Sequence, residues 1–413
     1  MTNENIKSPK LKKLQNKVKA GDKSALESFW REIEENGAPL IEDIEGDNEH
    51  KLVTFIVKEE EGVKQFVVAS FISGYILKDN ILDRLEGTDI YYRSYKVQNG
   101  VRDNYFIGKD IPLDFEQVFD NWDKYGKRCV TDPYNKKQFV SPADDEPGGD
   151  HEEITSILEL PDAVKQPWIE SQEDVPKGSL KEIRMSSSLL NNERRIWIYT
   201  PSGYSKNSKP YHLLLTFDGF TYTQTIPTPT ILDNLIAKEE IPPTIAVFVG
   251  NASSKSRFSE LMCNETFGKF LSEELIPWVQ TNYNVTKDPL QTVIAGSSLG
   301  GLAASFIGMK YPQIFGNVLS QSGAYWWSPE DEEEKEWLTR EFMKKDKLPL
   351  KIYADVGKLE HFEGMVTTNR NFRDMLKEKG YNYCYKEFMG GHQPLCWRGT
   401  LSDGLIELIG TKK

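Results

Sequence analysis

Ser298 stands at the third position of Gly296-Ser297-Ser298-Leu299-Gly300, a G-x-S-x-G string. A serine hydroxyl is a weak nucleophile at neutral pH. It needs a base within hydrogen-bond reach, and that base needs an orienting acid. The string carries chemistry where a strand runs into it and a helix leaves it, because the tight turn then lifts the hydroxyl above the sheet. Here Thr292 to Ala295 is an apolar run of strand type, Leu302 to Lys310 has helical character, and Gly301 adds a further small residue at the turn. Ser298, rather than Ser297, is the nucleophile candidate.

The chain has five histidines, so the base is sought by elimination. His50 falls in a polar turn, His151 in an acidic stretch, and His212 opens an apolar strand, where packing explains it. His361 lacks a glycine context. His392 closes Gly390-Gly391-His392, just beyond the last expected strand, Tyr383 to Phe388. That is where the order Ser, Asp/Glu, His of the α/β-hydrolases puts the base. The acid then belongs between Ser298 and His392, on Asp355-Val356-Gly357-Lys358-Leu359-Glu360. Asp355 and Glu360 compete. Asp355 falls at the end of a strand, whereas Glu360 lies three residues past Gly357 on a loop that can reach back to an imidazole. Glu360 is preferred, with Asp355 as the alternative.

A tetrahedral intermediate needs two N–H donors for its oxyanion. Leu299, next to the nucleophile, supplies one. The turn Asp218-Gly219-Phe220, after the apolar run Tyr211 to Phe217, offers the other through Gly219 or Phe220. No H-x-H, H-E-x-x-H or C-x-x-C spacing suggests a metal site, and none is expected.

These residues require a sheet to carry them. From about residue 177, apolar runs alternate with helical stretches: Thr244 to Gly250, a helix over Phe267 to Thr281, the Thr292 strand and its helix, then Asn317 to Gln321 and Leu350 to Ala354. A charged helix near Glu332 to Lys344 and a helix near Thr368 to Lys379 complete the alternation. This rhythm predicts a doubly wound, mostly parallel sheet, an α/β-hydrolase domain over 175–413. Before it, Leu52 to Val57, Gln65 to Phe71, Ile90 to Val97 and Asn104 to Ile107 alternate with glycine-bearing or charged turns and no helices, which predicts an all-β sandwich over 36–155. Residues 1–35 read as a helical extension. Ala143 to Glu153 is acidic and interrupted by Pro and Gly, as a linker would be.

The 413 residues carry a net charge of -12, which argues against a nucleic-acid or anionic-membrane partner. The lysine-rich start lacks the apolar core of a signal peptide, and the four cysteines are widely spaced. Both point to a cytoplasmic protein with free thiols.

Longer strings are more specific than G-x-S-x-G. They include Arg257-Phe258-Ser259-Glu260-Leu261-Met262-Cys263-Asn264, Ser320-Gln321-Ser322-Gly323-Ala324-Tyr325-Trp326-Trp327 and Cys396-Trp397-Arg398-Gly399. In the first half stand Gly37-Ala38-Pro39-Leu40-Ile41 and Thr131-Asp132-Pro133-Tyr134-Asn135. With these the chain resembles the enterochelin esterase family, hydrolases of ferric catecholate siderophores, from about Phe29 onward. The resemblance implies an immunoglobulin-like first domain that helps hold the siderophore. It also implies cleavage of a trilactone and no cofactor, since iron arrives chelated in the substrate. Gln393-Pro394 and Leu299 depart from the family's usual Asp-Ala and Phe. A ferric tris-catecholate is a flat-ringed polyanion, which gives Arg257, Arg398, Trp326, Trp327 and Trp397 a purpose as substrate-binding groups. A feruloyl or acetyl carbohydrate esterase, or a non-catalytic ferric-siderophore binder of the same fold, are the alternatives.

Overall fold

The computed structural model describes residues 7–74, 76–146, 149 and 151–411. The chain divides into two compact units. The first comprises Met1–Val140, Glu153–Val164 and Met389–Gly391; the second comprises Ser141–Glu152, Lys165–Phe388 and His392–Lys413.

The first unit opens with two helices, Pro9–Lys19 and Ala25–Asn36, separated at Gly21, whose φ is 86°. Buried Ser8 caps the first by accepting the Leu11 N–H at 3.1 Å. The apolar residues Leu11, Leu14, Phe29, Trp30 and Ile33 recur at helical spacing and pack against Leu40, Ile56, Ile90 and Tyr92. Two antiparallel sheets follow. One has the order Leu40–Ile44, Asp47–Lys58, Ile90–Gln98, Asp83–Arg84. The other runs Phe66–Ser70, Arg102–Lys109, Glu153–Glu159, Gln138–Ser141, with Cys129–Val130 pairing beside Arg102–Lys109. Rings of the two sheets meet: Phe55 and Tyr105 have centroids 4.7 Å apart, Phe66 and Tyr91 5.0 Å.

The second unit is built on one eight-stranded sheet. Its order is Ser179–Ser187, Asn192–Thr200, Thr244–Val249, His212–Thr216, Thr292–Ser297, Asn317–Gln321, Lys351–Gly357, Asn382–Phe388. The first two pairings are antiparallel and the rest parallel. The central strands are buried on both faces and therefore read as unbroken apolar runs. Ile294 packs into the core on one face, with Leu302, Phe306 and Phe372, while Val293 and Ala295 pack into the other, with Leu232, Leu401 and Leu405. Helices cover both faces, as an α/β-hydrolase requires.

Three expectations are corrected. The single helix expected over Phe267 to Thr281 is Glu265–Lys269 and Ile276–Asn282 joined by a π-helical turn, Phe270–Leu275. The wide turn precedes Pro277, whose ring removes an N–H that an unbroken α-helix would use. The charged helix starts only at Trp337, because Glu330 to Lys335 lack apolar residues to pin a helical face. The acidic stretch after Ala143 is not a free linker. It belongs to the second unit, where Glu146 pairs with Arg184 and Asp144 with Arg195. Among the described residues, no helix is long and apolar enough to cross a membrane.

Candidate active site

Parallel strands place their carboxyl ends along one edge of the sheet, where open α/β folds gather their reactive groups. Ser298 follows the Thr292–Ser297 strand directly and precedes the helix Leu299–Lys310. Its backbone is at φ 57°, ψ −121°, a strained conformation for a residue with a side chain. The turn is tight enough that a Cβ on Gly296 would fall 2.5 Å from the carbonyl carbon of Gly300. Two backbone bonds to the next strand's turn fix the serine: its N–H donates to Gln321 O at 2.9 Å, and Ala324 N–H donates to its carbonyl at 3.0 Å.

Glu360 and His392 come from the loops after the next strands along. Glu360 is fully buried. One carboxylate oxygen lies 2.7 Å from His392 Nδ1. The other accepts the Ser322 hydroxyl at 2.7 Å and the Gly357 N–H at 2.7 Å. Three donors thus hold a dry carboxylate, which is how a buried charge is kept stable. A carboxylate at Nδ1 selects the tautomer whose Nε2 is free to take a proton. The imidazole is edge-on to Phe362 and Trp397, at 5.1 Å and 4.9 Å between centroids. Trp397 also donates its indole N–H to Ser322 Oγ at 3.0 Å.

Asp355, the competing acid, is fully buried within its own strand, Lys351–Gly357, with a carboxyl oxygen 3.3 Å from the Ser322 N–H. Burial pushes its pKa up to about 8, with the nearby Glu360 charge adding to the effect. The acid hydrogen-bonded to the imidazole is Glu360.

Leu299 begins its helix beside the nucleophile, where N–H groups lack intrahelical carbonyl partners. Gly219 and Phe220 begin another helical turn, after the His212–Thr216 strand. A Cβ on Gly219 would lie 2.9 Å from the Phe248 backbone and from the Trp197 ring, so the chain can pass there only as glycine. Asp218, at φ 50° and buried, anchors this turn. Its carboxylate accepts Arg257 Nε at 2.6 Å, Arg257 Nη2 at 2.8 Å and Asn251 Nδ2 at 2.8 Å. Burial acts to raise the Asp218 pKa, but the guanidinium outweighs it and holds the carboxyl below its ordinary value.

A cleft of about 400 Å³ opens at this edge, lined by Ser298, Trp397, Asp218, Phe220, Arg257, Trp197 and Arg195 among others. Of the expected substrate-binding residues, Arg257 and Trp397 line it. Arg257 does so with its charge already met by Asp218. Trp326 and Trp327 are half-buried against the core of one sheet face, and Trp327 is edge-on to Trp337 at 5.9 Å. Arg398 donates from Nε to Gln166 Oε1 at 2.8 Å. None of these last three lines the cleft. Sequence reasoning missed Ser322 and Arg195. Ser322 had a signal, since it follows a parallel strand just as Ser298 does. Among the described residues, no group of three or more His, Cys, Asp or Glu side chains is arranged to hold a metal ion.

The family model described as "Putative esterase" matches residues 186–408, and the one described as "Enterochelin esterase, N-terminal" matches residues 52–169. The iron(III) enterobactin esterase of Escherichia coli strain K12 is 28% identical over 379 residues, which cover 86% of this chain and 90% of that protein. The crystal structure of the enterobactin esterase from Shigella flexneri, in the presence of enterobactin, matches with a TM-score of 0.74 at 26% identity, covering 92% of this chain and 97% of that one. That of the ferric enterobactin esterase from Salmonella typhimurium matches with a TM-score of 0.76 at 25% identity, covering 92% and 98%. The elbow serine, the carboxylate-held imidazole and these matches over both units lead to one conclusion: the chain is an esterase and belongs to the enterochelin esterase family.

Proposed function

We propose that this esterase hydrolyses the trilactone backbone of ferric catecholate siderophores of the enterobactin or bacillibactin type. Ser298 attacks a lactone carbonyl while His392 Nε2 takes its proton. Glu360 holds the ring and stabilises the imidazolium. The N–H groups of Leu299 and of the Gly219-Phe220 turn receive the oxyanion. The imidazolium returns its proton to the leaving alkoxide, and water, activated by the same ring, frees the acyl group. Opening the ring untethers the catechols, which lowers their effective concentration around iron. Iron travels as cargo, and we assign no resident cofactor. We take the antiparallel unit to be the immunoglobulin-like domain that helps hold the ligand. The cytoplasm is the compartment we favour, supported by four cysteines that form no disulfide with one another.

The observation that carries the reading is the 2.7 Å bond between His392 and a fully buried Glu360, on the sheet edge that carries Ser298. Product analysis on ferric enterobactin and ferric bacillibactin tests it. The wild type yields linear fragments, and Ser298→Ala loses about 10⁴–10⁶-fold in kcat. Intact lactones with wild type, or undiminished cleavage by Ser298→Ala, would overturn it.

A further inference from the structure

Arg194 and Arg195 are neighbours on the Asn192–Thr200 strand, so their side chains leave by opposite faces. Arg194 is buried and forks onto Glu260, at 2.6 Å and 2.8 Å, with Phe267 and Phe270 against it. That pair is structural. Arg195 enters the cleft instead. Its guanidinium lies over the Trp197 ring at 4.8 Å and near Phe220 at 5.7 Å. A guanidinium beside aromatic faces suits a flat anionic ring.

The chain already supplies anions to that guanidinium. Asp144 meets Nη2, Asp145 lies 3.3 Å from Nη1, and Glu146 lies 3.5 Å from Nε. These three carboxylates are consecutive, on a stretch outside any strand or helix. A local turn shapes it: Glu146 N–H donates to Asp144 Oδ1 at 3.1 Å, and Gly149 N–H to Glu146 O at 2.8 Å. Asp144 and Glu146 line the same cleft as Ser298. The ester chemistry has no use for them, and an incoming polyanion would be repelled by them. The other cleft guanidinium, Arg257, faces a buried carboxylate fixed beside a strand end. The partners of Arg195 are different: they lie on a stretch outside any strand or helix, and while Asp144 is 15% exposed at its side chain, Glu146, shared with Arg184, is 29% and Asp145 92% exposed. The two longer contacts, to Asp145 and Glu146, are the exposed ones and exchange most readily, leaving Asp144 as the contact an incoming anion has to displace.

We propose that Asp144–Glu146 is an internal anion that occupies Arg195, and that an anionic acyl substrate enters by exchanging places with it. This rests on the esterase reading above and adds the charge preference of the acyl side. The test compares KM for an anionic ester with KM for a neutral one, para-nitrophenyl butyrate. The anionic esters are ferric enterobactin and mono-para-nitrophenyl glutarate. Asp144→Asn combined with Glu146→Gln should lower the anionic-to-neutral KM ratio about 3–10-fold. Asp145→Asn, at an exposed side chain that cannot disturb folding, should move the ratio the same way by less. Arg195→Gln should raise the ratio and abolish the response to neutralising the carboxylates. A ratio that is unchanged or raised by neutralisation, or that still falls in the Arg195→Gln background, would overturn the exchange. Ferric enterobactin left intact while both nitrophenyl esters are cleaved would overturn the catecholate reading alone, and the two nitrophenyl esters would still decide the exchange.

Discussion

The two units turn their chains by different means. In the antiparallel unit the left-handed positions among the described residues are Gly21, Gly37, Gly46, Gly62, Gly74 and Gly87, with Asp110 as the exception. In the hydrolase unit Gly203, Gly364 and Gly380 take that conformation too, but among the described residues it falls more often on residues with side chains, including Asp218, Ser298 and Ser322. Each of these three lies within two residues of the end of a parallel strand. An L-residue held there costs roughly 1–2 kcal/mol, which glycine avoids. The difference teaches where the hydrolase unit accepts strain. One of its turns must present a hydroxyl, one must bury a carboxylate under Arg257, and one must aim a hydroxyl at Glu360. Glycine would relieve each turn and do none of this.

Glu360→Gln should have the largest effect on this contrast. It keeps the shape of the acid but removes the charge to which the strained turns lead, and kcat should fall about 10³–10⁴-fold with folding preserved. A loss below tenfold would mean that the strained Ser322 serves structure alone. Ser322→Gly is the sharper probe. It relaxes a φ of 46° while deleting the hydroxyl shared by Glu360 and Trp397, so kcat should drop about 10–100-fold, while stability should change by no more than about 1–2 kcal/mol because relieved strain offsets the lost buried hydrogen bonds. Urea unfolding alongside kinetics checks both halves. Gly62→Ala should give the smallest effect, about 1 kcal/mol of stability with unchanged kinetics, because its φ is 85° and nothing lies within 4 Å of the added methyl. A kinetic change there, or stability lost without activity in Ser322→Gly, would break the contrast.

Much of the site was legible because its signals are local. Ser298 announces itself through glycines between an apolar run and a helix. His392 emerges because so few histidines compete. The choice of Glu360 over Asp355 followed from loop length, and the structure places Glu360 at the imidazole. What stayed hidden is pairing across long separations. Gln166 meets Arg398 across 232 positions, and the composition of Asp144–Glu146 reads as solvated whether or not Arg195 waits beside it. Aromatic runs are equally mute. Trp326, Trp327 and Trp397 look alike in a string, yet all three pack on a core and only Trp397 also lines the cleft. The mostly parallel sheet with helices on both faces was readable from alternation, whereas its strand order and the π-helical turn at Phe270–Leu275, just before Pro277, were not.

The Trp397 indole, bonded to Ser322 Oγ and packed on His392, sits in the terminal helix Pro394–Ile409. The groups to which the proposed mechanism gives the task of readying the serine therefore leave the ribosome after it, in the order Ser322, Glu360, His392, Trp397. On the proposed mechanism, a nascent polypeptide carrying Ser298 stays hydrolytically silent until His392 and Trp397 have followed it, so the hydroxyl is armed only once its surroundings exist to restrain it.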